Sequence, residues 1–439
     1  MRRHHPFWFL FYNLALIPTL FSGIQVARLF NPKIRQGIQE RRGLFQKLAR
    51  LKQQRTPDSA LIVIHCASAG EFEAARPVLA AIHRRLPQYK IHVTCYSPSG
   101  LKPISKAEEV DSYSYLPFDD LISAHRFFRL LKPKAFLIVK HDVWPNMVWT
   151  AAARKIPSFW INANLHERSK RLGWISRGMN CSFLSRLSAV LTVGDSHAIR
   201  FADLVSPLNI TVVGDSRYDR TMDRMKQSAQ AAEDALPSSW LEGKRVIVAG
   251  STWGPDQRIL IPAYANLRKD YPDLYLILVP HEPRQDFLAD TEFYLRSFGL
   301  RPVRYSSLHG DLPPSDVLIV DKVGILAGLY RAAWVAYIGG AFGEGVHSVL
   351  EPAVYGLPLF FGPKYYMSHE AQALVQRGGA LAVNSVAQLE KSLRRYLEDE
   401  RVWRQAADQS RKLVEMGLGA TDRIVDHLER ILAGASEGA

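Results

Sequence analysis

The chain has 439 residues, too many for one hydrophobic core and enough for about two domains of ordinary size. Apolar residues at 47% and charged residues at 22% describe a folded globular protein and exclude a large disordered share. The formal charge of +14 calls for an anionic partner, and nucleic acid, an acidic membrane surface and a phosphorylated substrate all satisfy it. Cys66, Cys95 and Cys181 have an odd count and no metal-type spacing, which argues for free thiols in a reducing compartment and against a disulfide framework or a zinc site.

The first element is an apolar segment. Residues 6–27, PFWFLFYNLALIPTLFSGIQVA, carry no charge and are flanked by Arg2, Arg3 and Arg28. At about 1.5 Å per residue they are long enough to cross a hydrocarbon core of about 30 Å, although Asn13, Pro18 and Gln25 weaken a spanning reading. No small-residue cleavage site follows, so a membrane anchor is preferred over a signal peptide. Residues 31–55 then hold eight Lys or Arg against one acid, Glu40. Behind an apolar anchor such a cluster suits an anionic leaflet; taken alone it is a solvated basic helix. Whether the segment spans the membrane or lies in it stays open.

From residue 61 onward short apolar runs alternate with amphipathic stretches. Strands are expected at 61–65, 90–95, 135–139, 157–161, 189–193 and 210–213. After a polar stretch at 225–243 the pattern restarts, with strands at 245–249, 274–279, 316–320, 334–338 and 357–361. Continuous apolar strands separated by helices mean parallel sheets covered on both faces. The expected organisation is an anchor over 1–30, a first Rossmann-like domain over 31–225, a second over 240–415, and a C-terminal helix over 416–439 returning to the first. Two doubly wound domains facing a cleft would bind ligands beyond the carboxyl ends of their strands.

Several loops at those strand ends carry chemistry. HCASAGEFE, residues 65–73, runs from a strand into a turn of small residues and a helix start. Such a loop usually offers N–H groups to phosphate, but Glu71 would repel one. Lys140-His141-Asp142 leads into Trp144-Pro145-Asn146; Asn162 to Ser169 includes Arg168; and Gly214 to Arg220 closes the first half. Each reads equally as a ligand loop or a salt-bridged turn. In the second half, Gly250-Ser251-Thr252 ends a strand and suits either an oxyanion or an ordinary helix cap. His281 and Arg284 lie in a turn fixed by two prolines, and Asp321 to Gly324 is similarly ambiguous. Residues 339–363, GGAFGEGVHSVLEPAVYGLPLFFGP, are the strongest stretch. Gly339, Gly340, Gly343 and Gly345 allow close backbone approach, and His347 and Glu351 share one helical face, where Glu351 is placed to bind ribose hydroxyls.

Taken together these loops resemble the Kdo transferases (3-deoxy-D-manno-octulosonic acid transferases) of lipopolysaccharide synthesis. The matching motifs are S-x-G-E at Ser68–Glu71, an acidic W-P-N loop at Asp142–Asn146 and N-A-x-x-x-E-R-S at Asn162–Ser169. They continue with G-D-x-R-x-D at Gly214–Asp219, G-S-T at Gly250–Thr252 and G-x-H-x-x-L-E-P with its trailing G-x-P-x-x-F-G-P at Gly345–Pro363. The resemblance implies an α/β fold of GT-B architecture, an N-terminal anchor at the cytoplasmic face of a bacterial inner membrane, and metal-free, cofactor-free use of CMP-Kdo on a lipid A precursor. It implies Glu71 as general base and Ser68, Gly70, Lys140, Asp142, Asn146 and Arg168 on the acceptor. It implies Gly250, Ser251, Thr252, His281, Arg284, Gly324, Gly343, Gly345, His347 and Glu351 on the donor.

The chain departs from the family's usual pattern in places. Lys140-His141-Asp142 stands where many members have E-T-E, Pro280 to Arg284 reads P-H-E-P-R in place of P-R-H-P-E, and Ser348 replaces the usual Asn. Two rival readings remain: another GT-B enzyme moving a UDP-sugar to a lipid acceptor, or a catalytically inactive membrane-bound scaffold. No nucleic-acid reader motif appears, so a nucleic-acid partner is set aside.

Overall fold

The computed structural model describes residues 6–56, 59–167, 169–227, 236–308 and 313–437. The chain divides into two compact units, one formed by Met1–Arg220 with Leu418–Ala439 and the other by Thr221–Gly417. The first unit holds β1 (Ala60–His65), β2 (Tyr89–Cys95), β3 (Ser112–Tyr115), β4 (Ala135–Val139), β5 (Ser158–Ala163), β6 (Ala189–Thr192) and β7 (Ile210–Val212). They form one sheet in the order β3-β2-β1-β4-β5-β6-β7, with every pairing parallel. The second unit holds β8 (Arg245–Thr252), β9 (Leu274–Pro280), β10 (Pro302–Arg304), β11 (Val317–Ile319), β12 (Val335–Ile338), β13 (Leu359–Phe361) and β14 (Ala380–Ala382). Their order is β10-β11-β9-β8-β12-β13-β14, again all parallel.

Both sheets are covered on both faces, which explains the unbroken apolar runs of the inner strands. In β1, Ile62 and Ile64 enter one core with the helix Ala69–Arg85, whereas Leu61 and Val63 enter another with Phe127, Phe128 and Trp160. The three strands that the apolar pattern missed, β3, β10 and β14, all lie at sheet edges. An edge strand pairs on one side only and needs no apolar run, so SYSY, PVR and ALA carry little signal.

In each sheet the chain reverses its direction of winding once, at β1/β4 in the first unit and at β8/β12 in the second. These are the switch points at which a parallel sheet leaves a crevice beyond its carboxyl ends. The loops after β1, β4, β8 and β12 are therefore the four places where a ligand site is built most readily.

The last helix, Ala420–Glu437, belongs to the first unit. Ile424, Val425 and Leu428 join its core, and Arg85 holds Asp426 and Glu429 at 2.6 Å each. Its first turn is capped from a distance: Asp219 accepts hydrogen bonds from the N–H groups of Gly419 and Thr421, both at 2.8 Å. This accounts for the second acid of the Gly214–Asp219 motif; the first, Asp215, is buried and bound by the Arg217 guanidinium at 2.6 and 2.8 Å. Removing a cap of this kind costs about 1–2 kcal/mol. Asp219→Ala is expected to lower the melting temperature by a few degrees, at about 2–4 °C per kcal/mol, without changing activity at low temperature.

The apolar N-terminal segment is helical from Pro6 to Phe30, opening into a π-helical turn at Tyr12–Leu16. Leu20, Phe21, Val26, Leu29 and Phe30 are exposed along its second part. The basic stretch behind it is less free than its composition suggests. Arg41 donates to the carbonyls of Gly37, Tyr96 and Leu116 and lies over the rings of Tyr96 and Tyr115 at 4.6 and 4.7 Å. Arg35 ties off the end of the apolar helix through the carbonyls of Arg28 and Leu29, and Arg55 donates to Leu131 O at 2.8 Å. Three of the eight cations expected to face a membrane thus hold the fold together.

Candidate active site

In the first unit the loops after β1 and β4 bring Glu71, His65 and Asp142 together. Ser68 caps the helix Ala69–Arg85, its hydroxyl accepting from Glu71 N at 3.4 Å. The Glu71 carboxylate turns back over the same helix start and accepts from Ala67 N at 2.6 Å. The Ser-x-x-Glu spacing therefore makes a variant of the capping box, with the glutamate reaching one residue further back. The other carboxylate oxygen accepts from His141 N at 3.4 Å, which links the loop after β1 to the loop after β4. Two of about four lone-pair sites remain for a further donor.

Burial raises the pKa of Glu71; the Ala67 N–H, then the His65 charge, work against it, and the neighbouring Asp142 carboxylate adds to the rise. Asp142 goes the other way. Burial alone would raise it, but the His65 hydrogen bond and charge, with Arg171 behind them, hold it below the usual range. His65 is buried between Thr94 Oγ1 at 3.0 Å and Asp142 at 3.4 Å. Two adjacent carboxylates are thus pushed apart, one toward holding a proton and the other toward charge. Around them the loop is cationic. Burial and the charges of Lys140, His166, Arg171 and Arg217 push the His141 imidazole down to about 4. Arg171 Nη2 donates to His141 O at 3.0 Å and fixes the loop tip. Lys140 takes the left-handed conformation at φ 59°, and its carbonyl accepts from Trp160 Nε1.

In the second unit the loops after β8 and β12 are joined by Asp256. Its Oδ2 accepts from Trp253 N at 2.9 Å, one loop, and from Gly340 N at 3.0 Å, the other. Above them lies an aromatic tier. His281 stacks on His347 with centroids 4.3 Å apart, Trp253 lies 4.8 Å from His281, and Trp253 Nε1 donates to His347 Nε2 at 3.2 Å. Burial, then the charge of His281, lower the pKa of His347, so the ring is neutral and able to accept. Ser251 sits at φ 53°, a left-handed position uncommon for a residue with a side chain. Glu351 pairs with Arg224 at 3.0 Å within this unit.

A family model described as 3-deoxy-D-manno-octulosonic-acid transferase (kdotransferase) matches residues 36–220. The 3-deoxy-D-manno-octulosonic acid transferase of Haemophilus influenzae is 29% identical over 439 residues, covering 97% of this chain and 99% of its own. Over nearly its whole length the chain is similar to the Kdo transferases. The enzyme of the same description from Aquifex aeolicus is 26% identical over 72% of this chain and 80% of its own. Among solved structures, the UDP-GlcNAc 2-epimerase of Neisseria meningitidis aligns with a TM-score of 0.62 over 84% of this chain and all of its own. At 16% identity it reports a shared fold of two Rossmann-like units, the GT-B type, and nothing about substrate.

The Kdo transferase motifs fall on these loops, but not all of their residues face outward. Asn146 is fully buried: its amide donates to Asp119 O at 2.6 Å and pairs reciprocally with Asn13, so it meets no acceptor. Thr252 is also fully buried, with its hydroxyl toward Val279 O at 3.4 Å, and cannot hold a phosphate. Gly250 is glycine because a Cβ would strike the Tyr330 hydroxyl, so close packing within the unit and not ligand approach sets it. Gly340 is held at φ 93° against Gly345 O and the His347 ring, which makes the glycine-rich loop close on itself. Gly345 follows at φ 152°, and Gly343 O accepts from Lys364 Nζ at 2.8 Å. Gly70 and Gly324, in contrast, have open space where a Cβ would be. Arg284 is exposed and pairs loosely with Glu282 and Asp286 at 4.0 and 3.4 Å. Arg168 lies outside the described residues.

Four residues that sequence reasoning passed over hold the two sites: His65, Arg171, Asp119 and Asp256. His65 was hidden as one more position of an apolar strand. Asp256 had a readable signal, an acid in the first turn of a helix opening behind a strand end.

Proposed function

We propose that the chain is an inverting glycosyltransferase that moves Kdo from CMP-Kdo to a sugar hydroxyl of a lipid A precursor. The observation that carries this is the near full-length relation to Kdo transferases, with the S-x-G-E glutamate at the switch point of the first sheet. In the reaction Glu71 takes the proton of the acceptor hydroxyl as that oxygen forms a bond to the anomeric carbon. The bond from that carbon to the CMP phosphate breaks, and CMP leaves with the electron pair. The raised pKa of Glu71 suits a base, and the cations Lys140, Arg171 and Arg217 suit an acceptor that carries phosphate. On the donor, His347 and His281 are proposed to meet the nucleotide or the Kdo carboxylate, and Glu351 to exchange Arg224 for ribose hydroxyls.

The anchor is proposed to lie in the cytoplasmic face of the inner membrane without crossing it. Tyr12 and Asn13 are bound to the first unit, which fastens the segment to protein near its middle, and the part beyond the π-helical turn, Ile17–Phe30, is 14 residues or about 21 Å long, short of a core of about 30 Å. Purified protein incubated with CMP-Kdo and tetra-acylated lipid A precursor should give a product heavier by one or more Kdo residues in a mass spectrum. No transfer from CMP-Kdo together with turnover of a UDP-sugar would overturn the proposal.

A further inference from the structure

The apolar helix is joined to the first unit by polar groups that a membrane tether does not need. Tyr12 donates to Asp119 Oδ2 at 2.8 Å, and Asn13 and Asn146 exchange amide hydrogen bonds at 2.9 and 3.1 Å. Asp119 is buried and also accepts from Asn146 N and Met147 N, both at 3.0 Å. Those two N–H groups open the helix Pro145–Ala153, which follows directly on the loop that carries His141 and Asp142. In an apolar segment a tyrosine and an asparagine weaken partition into lipid unless the protein satisfies them, and here the protein does. They emerge at the π-helical turn, the one irregular turn in an otherwise α-helical segment; such turns recur at functional positions.

Aromatic packing extends the joint. Phe9 and Tyr12 lie edge-on to Trp149 at 5.1 and 5.7 Å, and Phe21 meets Phe118, the neighbour of Asp119, at 6.5 Å. From the other side Arg41 holds Tyr96 O at 2.7 Å, and the Tyr96 ring stacks on Trp144 at 5.3 Å. The start of the helix after β4 is therefore gripped at Asn146 and Trp149 by residues of the N-terminal segment, and Trp144, in the loop before it, is held by Tyr96, which Arg41 binds in turn.

We propose that Tyr12 and Asn13 are positioning residues for the acceptor loop, so that docking of the N-terminal helix sets the place of Asp142 and of the His141 N–H that holds Glu71. The effect on catalysis rests on the function proposed above, and the effect on the loop does not. A helix held in the membrane at one end and latched to the loop at the other would couple membrane engagement to the geometry of the base. Because the reacting groups must meet within tenths of an ångström, a loosened loop lowers turnover more than it lowers substrate binding.

The test uses the full chain with Tyr12→Phe and Asn13→Leu, which removes the hydrogen bonds and keeps the segment apolar, and Tyr12→Phe alone, which deletes one oxygen and preserves folding. Sedimentation with mixed phosphatidylethanolamine–phosphatidylglycerol vesicles should be unchanged. Amide exchange in residues 140–149 should quicken on the order of tenfold, with a smaller change in the single variant. The rate constant for Kdo transfer in detergent micelles should fall on the order of tenfold to a hundredfold while KM for CMP-Kdo stays at the parental value. Parental exchange rates in 140–149 would overturn the proposal whatever the vesicle result, because the latch would then not set the loop. Faster exchange with parental turnover would overturn its catalytic part. Absence of Kdo transfer in the parent would instead count against the proposed function and leave the exchange comparison standing.

Discussion

Glu71→Gln is expected to lower turnover by about 100-fold or more while CMP binding stays at its parental affinity. The substitution is nearly isosteric, and the amide oxygen can still accept from Ala67 N, so the helix start and the fold are preserved. What is lost is a group able to take a proton. The pH profile gives an independent check. Burial raises the Glu71 pKa, so the acid limb of kcat/KM should lie above the usual glutamate range. The base works deprotonated, so activity is lost as pH falls through that raised value. Asp142 contributes to the rise, and Asp142→Asn should move the limb to lower pH. Turnover near the parental rate in Glu71→Gln would pass the role of base to another group, with Asp142 and His65 the next to test.

The sheets were legible in the sequence wherever strands are buried on both faces, because burial writes continuous apolar runs. The edge strands β3, β10 and β14 were not, since one unpaired side removes the need for such runs. The site loops were legible as positions, because parallel strands place their ligand loops at carboxyl ends. The division of labour within those loops was not. Asn146 and Thr252 look like ligand groups in one dimension, yet each finds a partner far along the chain, Asn146 with Asn13 and Thr252 with Val279. A hydrogen bond between residues more than a hundred positions apart, such as Tyr12 with Asp119, leaves no local pattern. Asn13 nevertheless gave a hint: a polar amide in an uncharged apolar segment needs a partner, and that partner proved to be the W-P-N asparagine.

The two units solve the same problem with different residues. At β1/β4 the loops are linked by Glu71, which accepts from Ala67 N on one side and His141 N on the other. At β8/β12 they are linked by Asp256, which accepts from Trp253 N and Gly340 N. Each switch point thus has a buried carboxylate bridging backbone N–H groups of two loops. In the first unit the bridging acid keeps some of its lone pairs and sits beside a second carboxylate and a histidine. In the second it is enclosed under a tier of aromatic rings. The same device leaves the first acid open for the proposed role of base and encloses the second as a scaffold.

Asp256→Ala should therefore damage the second unit more than its distance from the expected nucleotide contacts suggests. Two buried N–H groups lose their acceptor, at about 1–3 kcal/mol each, and the Tyr337 hydroxyl, 3.4 Å from Oδ1, loses a partner as well. A loss of about 3 kcal/mol or more is expected in urea unfolding, read by amide exchange in β8 and β9 so that the first unit does not mask it. The functional loss follows from what Gly340 N holds. Gly340 is the hinge of the glycine-rich loop, and the His347 ring packs against it. Without the bridge the Trp253, His281 and His347 tier has no fixed spacing, and affinity for CMP should fall on the order of tenfold or more, in line with about 1.4 kcal/mol per factor of ten. Asp256→Asn, which keeps an oxygen for the two N–H groups, should lose less of both. Parental CMP affinity in Asp256→Ala would mean that the spacing of the two loops is set by their packing alone, and that the carboxylate serves stability without serving the site.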